Sequence, residues 1–112
     1  MSPDQREYLA LLAWLYLQHG EPAKALVLLR AGARLAPDDV QILKTLAYAE
    51  LAVGEAGAAL ASVERFARAG GEAGPGSPIQ LIRSKALLAL GRGTEARDCF
   101  RRFVAAQREM VT

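Results

Sequence analysis

Apolar residues recur along the chain at helical spacing, and glycine or proline interrupts them at regular intervals. The first apolar run, residues 8–17, is followed by Gly20, and a second run lies between Pro22 and Pro37. Runs of this length between helix breakers, with few β-branched residues, favour packed helices over strands. The pattern predicts six helices in three antiparallel pairs, with approximate bounds 3–19, 22–36, 40–53, 57–69, 78–90 and 95–110.

Capping residues precede four of these predicted helices, because a short polar side chain can accept a hydrogen bond from the first free backbone amides. The expected caps are Ser2 or Asp4, Asp38 or Asp39, Ser77, and Thr94. Residues 70–78 hold four glycines and two prolines, which predicts a loop between the second and third helix pairs.

One glycine and one alanine recur five residues apart in each helix pair: Gly20 with Ala25, Gly54 with Ala59, and Gly91 with Ala96. The successive offsets are 34 and 37 residues. A period near 34 built from two helices resembles the tetratricopeptide repeat (TPR). The resemblance implies a single all-α domain, residues 1–112, in which three tandem TPR hairpins form a short right-handed superhelix.

The expected repeats span about 6–39, 40–73 and 77–110. The first matches best, and its residues at the expected positions are Leu9, Leu12, Ala13, Tyr16, Gly20, Ala25, Leu29 and Pro37. The later repeats depart from the pattern, with Glu50 where an aromatic is common and Phe66 where alanine is expected.

In TPR proteins the first helix of each pair lines the concave side, so the resemblance implies that partner-binding residues lie there. In this chain the expected binding residues are Ala10, Trp14, Leu17, Gln18, Lys44, Tyr48, Leu51, Leu81, Lys85 and Leu88. Most are apolar, which disfavours the Lys, Arg and Asn clamp that some TPR domains use to hold a carboxylate. We expect Trp14→Ala or Leu51→Glu to abolish partner binding and to leave the helical content largely intact.

The first predicted helix is apolar around its whole circumference, so it should be covered on more sides than one neighbouring hairpin can reach. A partner or a second copy of the chain would cover it, and the alternative is the chain's own tail. At the other end, Phe100, Phe103, Val104 and Met110 should be incompletely covered. A stripe of arginines at positions 97, 101 and 108 is expected to be a solvated face, with a docking strip for an acidic partner as the alternative.

Composition and charge exclude several further classes of function. The chain has 112 residues, 52% of them hydrophobic, and a net charge of +2 with both signs interspersed, so nucleic-acid binding is not expected. Its polar N-terminus and short apolar runs predict a soluble cytoplasmic protein with neither signal peptide nor membrane insertion. His19 and Cys99 are single residues of their type, with no pattern for a metal site, and no serine has an evident paired base. We therefore expect no catalytic residues, no metal and no cofactor.

The chain also resembles the small TPR chaperones of bacterial type III secretion, in particular the YscY/PscY family. The resemblance lies in residues 5–9 (QREYL), residues 14–20 (WLYLQHG) and the length. It implies a cytoplasmic protein, peripheral to the secretion apparatus, that binds a small secreted component of the YscX type and engages the cytosolic domain of a YscV-like export gate. The alternatives are a YscG-like co-chaperone of the needle subunit and a generic TPR interaction module; the translocator chaperones are expected to be longer, with an N-terminal dimerisation segment. Without its client the chain could form a homodimer.

Overall fold

The computed structural model describes residues 1–111, which form six α-helices and no strand. The helices are α1 (Pro3–Gln18), α2 (Pro22–Leu35), α3 (Val40–Ala52), α4 (Ala56–Arg68), α5 (Ile79–Ala89) and α6 (Gly93–Val111). The predicted number and order of helices are confirmed, and their predicted bounds differ from these by at most a few residues.

The helices pack as three consecutive hairpins, α1 with α2, α3 with α4, and α5 with α6. Each hairpin also packs on the next, through contacts of α2 with α3 and of α4 with α5. The first helices, α1, α3 and α5, touch one another in series. Because of this stacking, equivalent positions of the three first helices share one side of the array.

Glycine with a left-handed backbone ends the first helix of every hairpin. The φ angles of Gly20, Gly54 and Gly91 are +73°, +87° and +77°. Side chains with a Cβ rarely adopt this conformation, so the recurring glycine is required by the turn itself. The spacing that identified the repeat in the sequence is therefore the spacing of these turns.

Two of the four predicted helix caps form as expected. The Gln5 backbone amide donates to the Ser2 hydroxyl at 3.2 Å, and the Ser2 amide donates back to the Gln5 side-chain oxygen at 2.9 Å. This reciprocal pair is a capping box. Asp39 caps α3 in the simpler way, by accepting from the Ile42 amide at 3.1 Å.

The predicted cap at Thr94 is wrong, and Ser77 caps α5 only weakly, because the Ile79 amide donates to its hydroxyl at a long 3.4 Å. The Ser77 hydroxyl donates to the Glu72 backbone carbonyl at 2.5 Å, and the residue at the N-cap of α5 is Pro78. Thr94 is already inside α6, which begins at Gly93. The Ser77 hydroxyl therefore bonds both to the preceding loop, as a donor, and to the start of α5, as an acceptor.

The loop between α4 and α5 is tied to both helices of the last hairpin. The Gln80 side-chain amide donates to the Ala73 carbonyl at 2.8 Å, and the Gln107 side-chain amide donates to the Gly76 carbonyl at 2.9 Å. These bonds join α5 and α6 through the loop, which positions the third hairpin.

Candidate partner-binding surface

Large apolar side chains remain exposed on the first helices, although small residues of the same helices are fully buried. Trp14 is 51% exposed, Tyr48 is 50% exposed and Leu88 is 66% exposed. Trp14 and Tyr48 are separated by 34 residues and occupy the same position in successive repeats. We call the side of the array formed by α1, α3 and α5 the first-helix surface.

Nine of the ten expected binding residues, all except Gln18, occupy three equivalent rows of this surface. Each row takes one residue from each first helix, at offsets of 34 and 37 residues. Eight of the nine positions hold a large apolar, aromatic or lysine side chain that is exposed or half-buried, and Ala10 is the small exception. The rows are Ala10, Lys44 and Leu81; Trp14, Tyr48 and Lys85; and Leu17, Leu51 and Leu88.

Ala10 and Trp14 meet in a pocket of about 370 Å³ between α1 and α3. Its remaining lining residues are Leu11, Gln41 and Thr45. An apolar wall with two polar groups opposite can hold an aliphatic side chain and one backbone or side-chain hydrogen bond of a partner.

Leu81, Lys85 and Leu88 meet in a second pocket, of about 360 Å³, between α5 and α6. We call it the α5–α6 slot, and its remaining lining residues are Ser84, Gly93, Ala96, Arg97 and Phe100. The contribution of α6 was missed from the sequence, where Arg97 and Phe100 were assigned to a solvated stripe and to an uncovered end. The repeat register could have found them, because Phe100 is the equivalent of Leu29 in the first hairpin.

Two expected binding residues belong partly to the core. Leu17 is partly buried against the apolar cluster of the first hairpin, and Leu51 against a cluster that includes Ala59 and Ala86. Leu51→Glu would therefore place a charge against packed alanines, so the structure predicts that it disturbs the fold as well as partner binding. Gln18 and Lys44 are exposed or half-buried and line neither of the two pockets.

α1 carries further large apolar side chains that are exposed. Tyr8, Leu11 and Leu15 are exposed. Among residues 1–111, α1 packs on α2 and α3 alone, so the chain's own tail does not cover it. The hypothesis of a self-covered first helix is wrong for the described part of the chain, and a large apolar area is left open beside Trp14.

The most buried charge lies away from this surface. Glu50 is only 5% exposed, and the Ser62 hydroxyl donates to its carboxylate at 2.5 Å. The Arg30 guanidinium lies 3.7 Å from Glu50 and 2.7 Å from Glu55. Burial raises the pKa of the Glu50 carboxyl above its ordinary value, and the bond from Ser62 and the charge of Arg30 oppose that rise. The cluster joins α2, α3 and α4 and has a structural role.

Within residues 1–111, no group of three or more histidine, cysteine, aspartate or glutamate side chains is placed to hold a metal ion. None of the helices in the described part of the chain is both long and apolar enough to cross a membrane. Cys99 is buried.

The tetratricopeptide repeat family model matches residues 6–49. The structure is similar to the crystal structure of the type III secretion translocator chaperone SycD of Yersinia enterocolitica, described as an alternative dimer, with a TM-score of 0.78 at 24% identity over 91% of this chain and 75% of that chain. No curated protein matches the chain in sequence. The repeat match and the shared architecture confirm the expected fold, an all-α array of TPR hairpins.

Proposed function

We propose that this protein is a cytoplasmic chaperone of bacterial type III secretion that covers an apolar helix of a secreted client with its first-helix surface. The observation that carries the proposal is the pair Trp14 and Tyr48, two half-exposed aromatics in the same register on adjacent helices. Large rigid aromatics of this kind are the common anchors of protein interfaces. The fold shared with SycD supports the same interpretation.

Client binding would be driven by burial of apolar surface. Fully burying one large apolar side chain contributes roughly 1.5–3 kcal/mol. Trp14 and Tyr48 are already about half buried, so the two together would contribute roughly 1.5–3 kcal/mol before the cost of association. The same burial would stabilise the chaperone, because a ligand that binds only the folded state shifts the folding equilibrium toward it.

For the client we propose a small secreted protein of the YscX type, with the pair engaging a YscV-like export gate. The support is the likeness of residues 5–9 and 14–20 to the YscY/PscY family. A second candidate is a chaperone of translocators, favoured by the structural likeness to SycD. A YscG-like co-chaperone of the needle subunit and a general TPR interaction module would bind their partners through the same surface.

The test is co-expression with a YscX-type protein, followed by size-exclusion chromatography with light scattering. Trp14 is the single tryptophan, so its emission reports this position alone. We expect a complex of fixed stoichiometry and a blue shift of the Trp14 emission on binding. If the free chain is a homodimer through the same surface, addition of the client will dissociate it.

Trp14→Ala and Tyr48→Ala should each weaken client binding. Val27→Ala is the matched control, because Val27 is also apolar and exposed but lies on α2. Undiminished co-purification of the client with a Trp14→Ala, Tyr48→Ala double variant would refute the proposed surface.

A further inference from the structure

The α5–α6 slot is the third of three equivalent clefts, and the first two are filled by the helix that follows. In the first hairpin, Ala13, Ala25 and Leu29 are fully buried in one apolar cluster with residues of α3. In the second hairpin, Ala47, Ala59 and Val63 are equally buried against residues of α5. In the third hairpin the residue equivalent to Leu29 and Val63 is Phe100, which is exposed and lines the slot. The slot is therefore a cleft of the kind that a packed helix fills in the two preceding hairpins.

The two helices that occupy the first two clefts insert similar side chains. From α3 these are Ile42, Leu46 and Ala49, which pack in the cluster of the first hairpin. From α5 they are Ile79, Ile82 and Ala86, which pack in the clusters of the second. Both sets place two bulky aliphatic residues one turn apart and an alanine one turn further on, along one helix face. A helix with this pattern of side chains would fit the slot.

The third cleft differs from the first two in charge. Lys85 occupies the register of Trp14 and Tyr48. Arg97 occupies the register of two leucines, at positions 26 and 60. Both cations line the slot, and no acidic side chain does among the described residues. Two cations beside an apolar floor select an occupant with carboxylates beside its apolar stripe, and they disfavour a basic one.

We propose that the α5–α6 slot receives an amphipathic helix of a partner protein, seated as α3 and α5 are seated in the preceding clefts. The partner helix carries two bulky aliphatic residues and a small residue on one face, with glutamate or aspartate placed to pair with Lys85 and Arg97. The inference deepens the proposed function, on which it rests, by extending the first-helix surface onto α6 and by stating the chemistry of the client helix that binds there. The partner helix would then cover the last hairpin of the described residues, as α3 and α5 cover the hairpins before them.

The probe is a fluorescein-labelled synthetic helix of about 18 residues, alanine-rich for helicity, with isoleucine, leucine and alanine in the α3 spacing. One version carries glutamates beside the apolar stripe, and the matched version carries lysines there. Binding is measured by fluorescence anisotropy with the full chain, after circular dichroism has verified that both probes are helical. We expect the glutamate probe to bind at least about tenfold more tightly than the lysine probe, and the difference to shrink with added salt.

Two variants of the protein locate the binding. Leu88→Glu should weaken binding of the glutamate probe by at least about tenfold. The fold should tolerate the change, because the Leu88 side chain is 66% exposed. Arg97→Glu should lower the affinity for the glutamate probe and raise the affinity for the lysine probe. Arg102→Glu is the matched control on the same helix, exposed and outside the slot, and should leave the charge preference in place. Thermal unfolding of each variant separates loss of binding from loss of fold.

Several results would overturn the inference: no binding of either probe to the wild-type chain, equal effects of Arg97→Glu and Arg102→Glu, or a wild-type dimer that Leu88→Glu dissociates. The last would assign the slot to a second copy. A retained client complex with no probe binding would refute the slot and leave the proposed function standing. If the chain binds the probe but captures no secreted client, the proposed function is refuted and the slot proposal stands.

Discussion

Substitution of Gly71 by alanine should destabilise the protein by steric overlap alone. Gly71 lies under the ring of Phe66, and an added Cβ would stand 2.5 and 2.6 Å from the two Cε atoms and closer still to Cζ. The φ of Gly71 is not among the positive values found in the chain, so alanine meets no backbone strain there. The ring is buried in a cluster with Leu43, Val63 and Ile79, which limits its room to move.

The expected size of the effect is a balance of two terms. Overpacking of a filled core costs about 1–3 kcal/mol, and overlap with three ring atoms places this case at the upper end. The smaller entropy of the unfolded alanine chain offsets about 0.4–1 kcal/mol of that cost. We expect a net loss of about 2 kcal/mol, which lowers Tm by roughly 8 °C for a domain of this size.

Gly57→Ala is the matched control. Gly57 is exposed in α4, and an added Cβ there has nothing within 4 Å, so helix propensity alone should stabilise the variant by about 0.5 kcal/mol. The assay is urea and thermal unfolding followed by circular dichroism. A Phe66→Leu, Gly71→Ala double variant should lose less than the sum of the single changes, because the shorter side chain relieves the overlap. Stabilities of Gly71→Ala and Gly57→Ala that shift in the same direction would refute the reasoning.

Three further predictions concern single positions. Glu50→Gln should gain stability relative to the wild type as the pH rises above 4.5. The pKa of the Glu50 carboxyl is raised in the folded protein, so the protonated carboxyl favours the fold at low pH and this contribution is lost as the pH rises through the folded-state pKa. Parallel pH profiles of urea unfolding for the two proteins would contradict this prediction. Ser2→Ala should cost about 1 kcal/mol, measured by thermal unfolding, through loss of the capping box with Gln5, and Gln5→Ala should show part of the same loss. Leu51→Glu should lose several degrees of Tm or much of its helical circular dichroism, since its side chain packs on buried alanines, whereas Tyr48→Glu should not.

Local features of the chain were predictable because their causes are local. A glycine at the end of each first helix, a proline at the start of α2 and the Ser2 cap act within a few residues, and each was correctly inferred from its neighbours. The repeat offset then predicted the three hairpins, since each turn recurs in register with its helices.

The sequence predicted which residues occupy equivalent positions of the candidate surface, but not how exposed each of them is. Trp14 and Tyr48 are half exposed, whereas Leu51, in the next row, is partly buried against alanines of α4 and α5. The same holds for Ser77, whose hydroxyl donates to a loop carbonyl and accepts only a long bond from the first amide of α5. Such outcomes depend on groups from distant elements, which helical periodicity does not describe.

By itself the sequence determined the helices, their turns and the stacking of three equivalent hairpins, because periodicity, caps and left-handed glycines are properties of short segments. Only the tertiary structure decided which apolar positions stay open. The first two clefts are closed by the helices that follow them, and the slot formed by Leu88, Arg97 and Phe100 is not, within the described residues. The exposure of a residue depends on what packs against it, so helical periodicity alone could not show which candidate binding residues stay accessible.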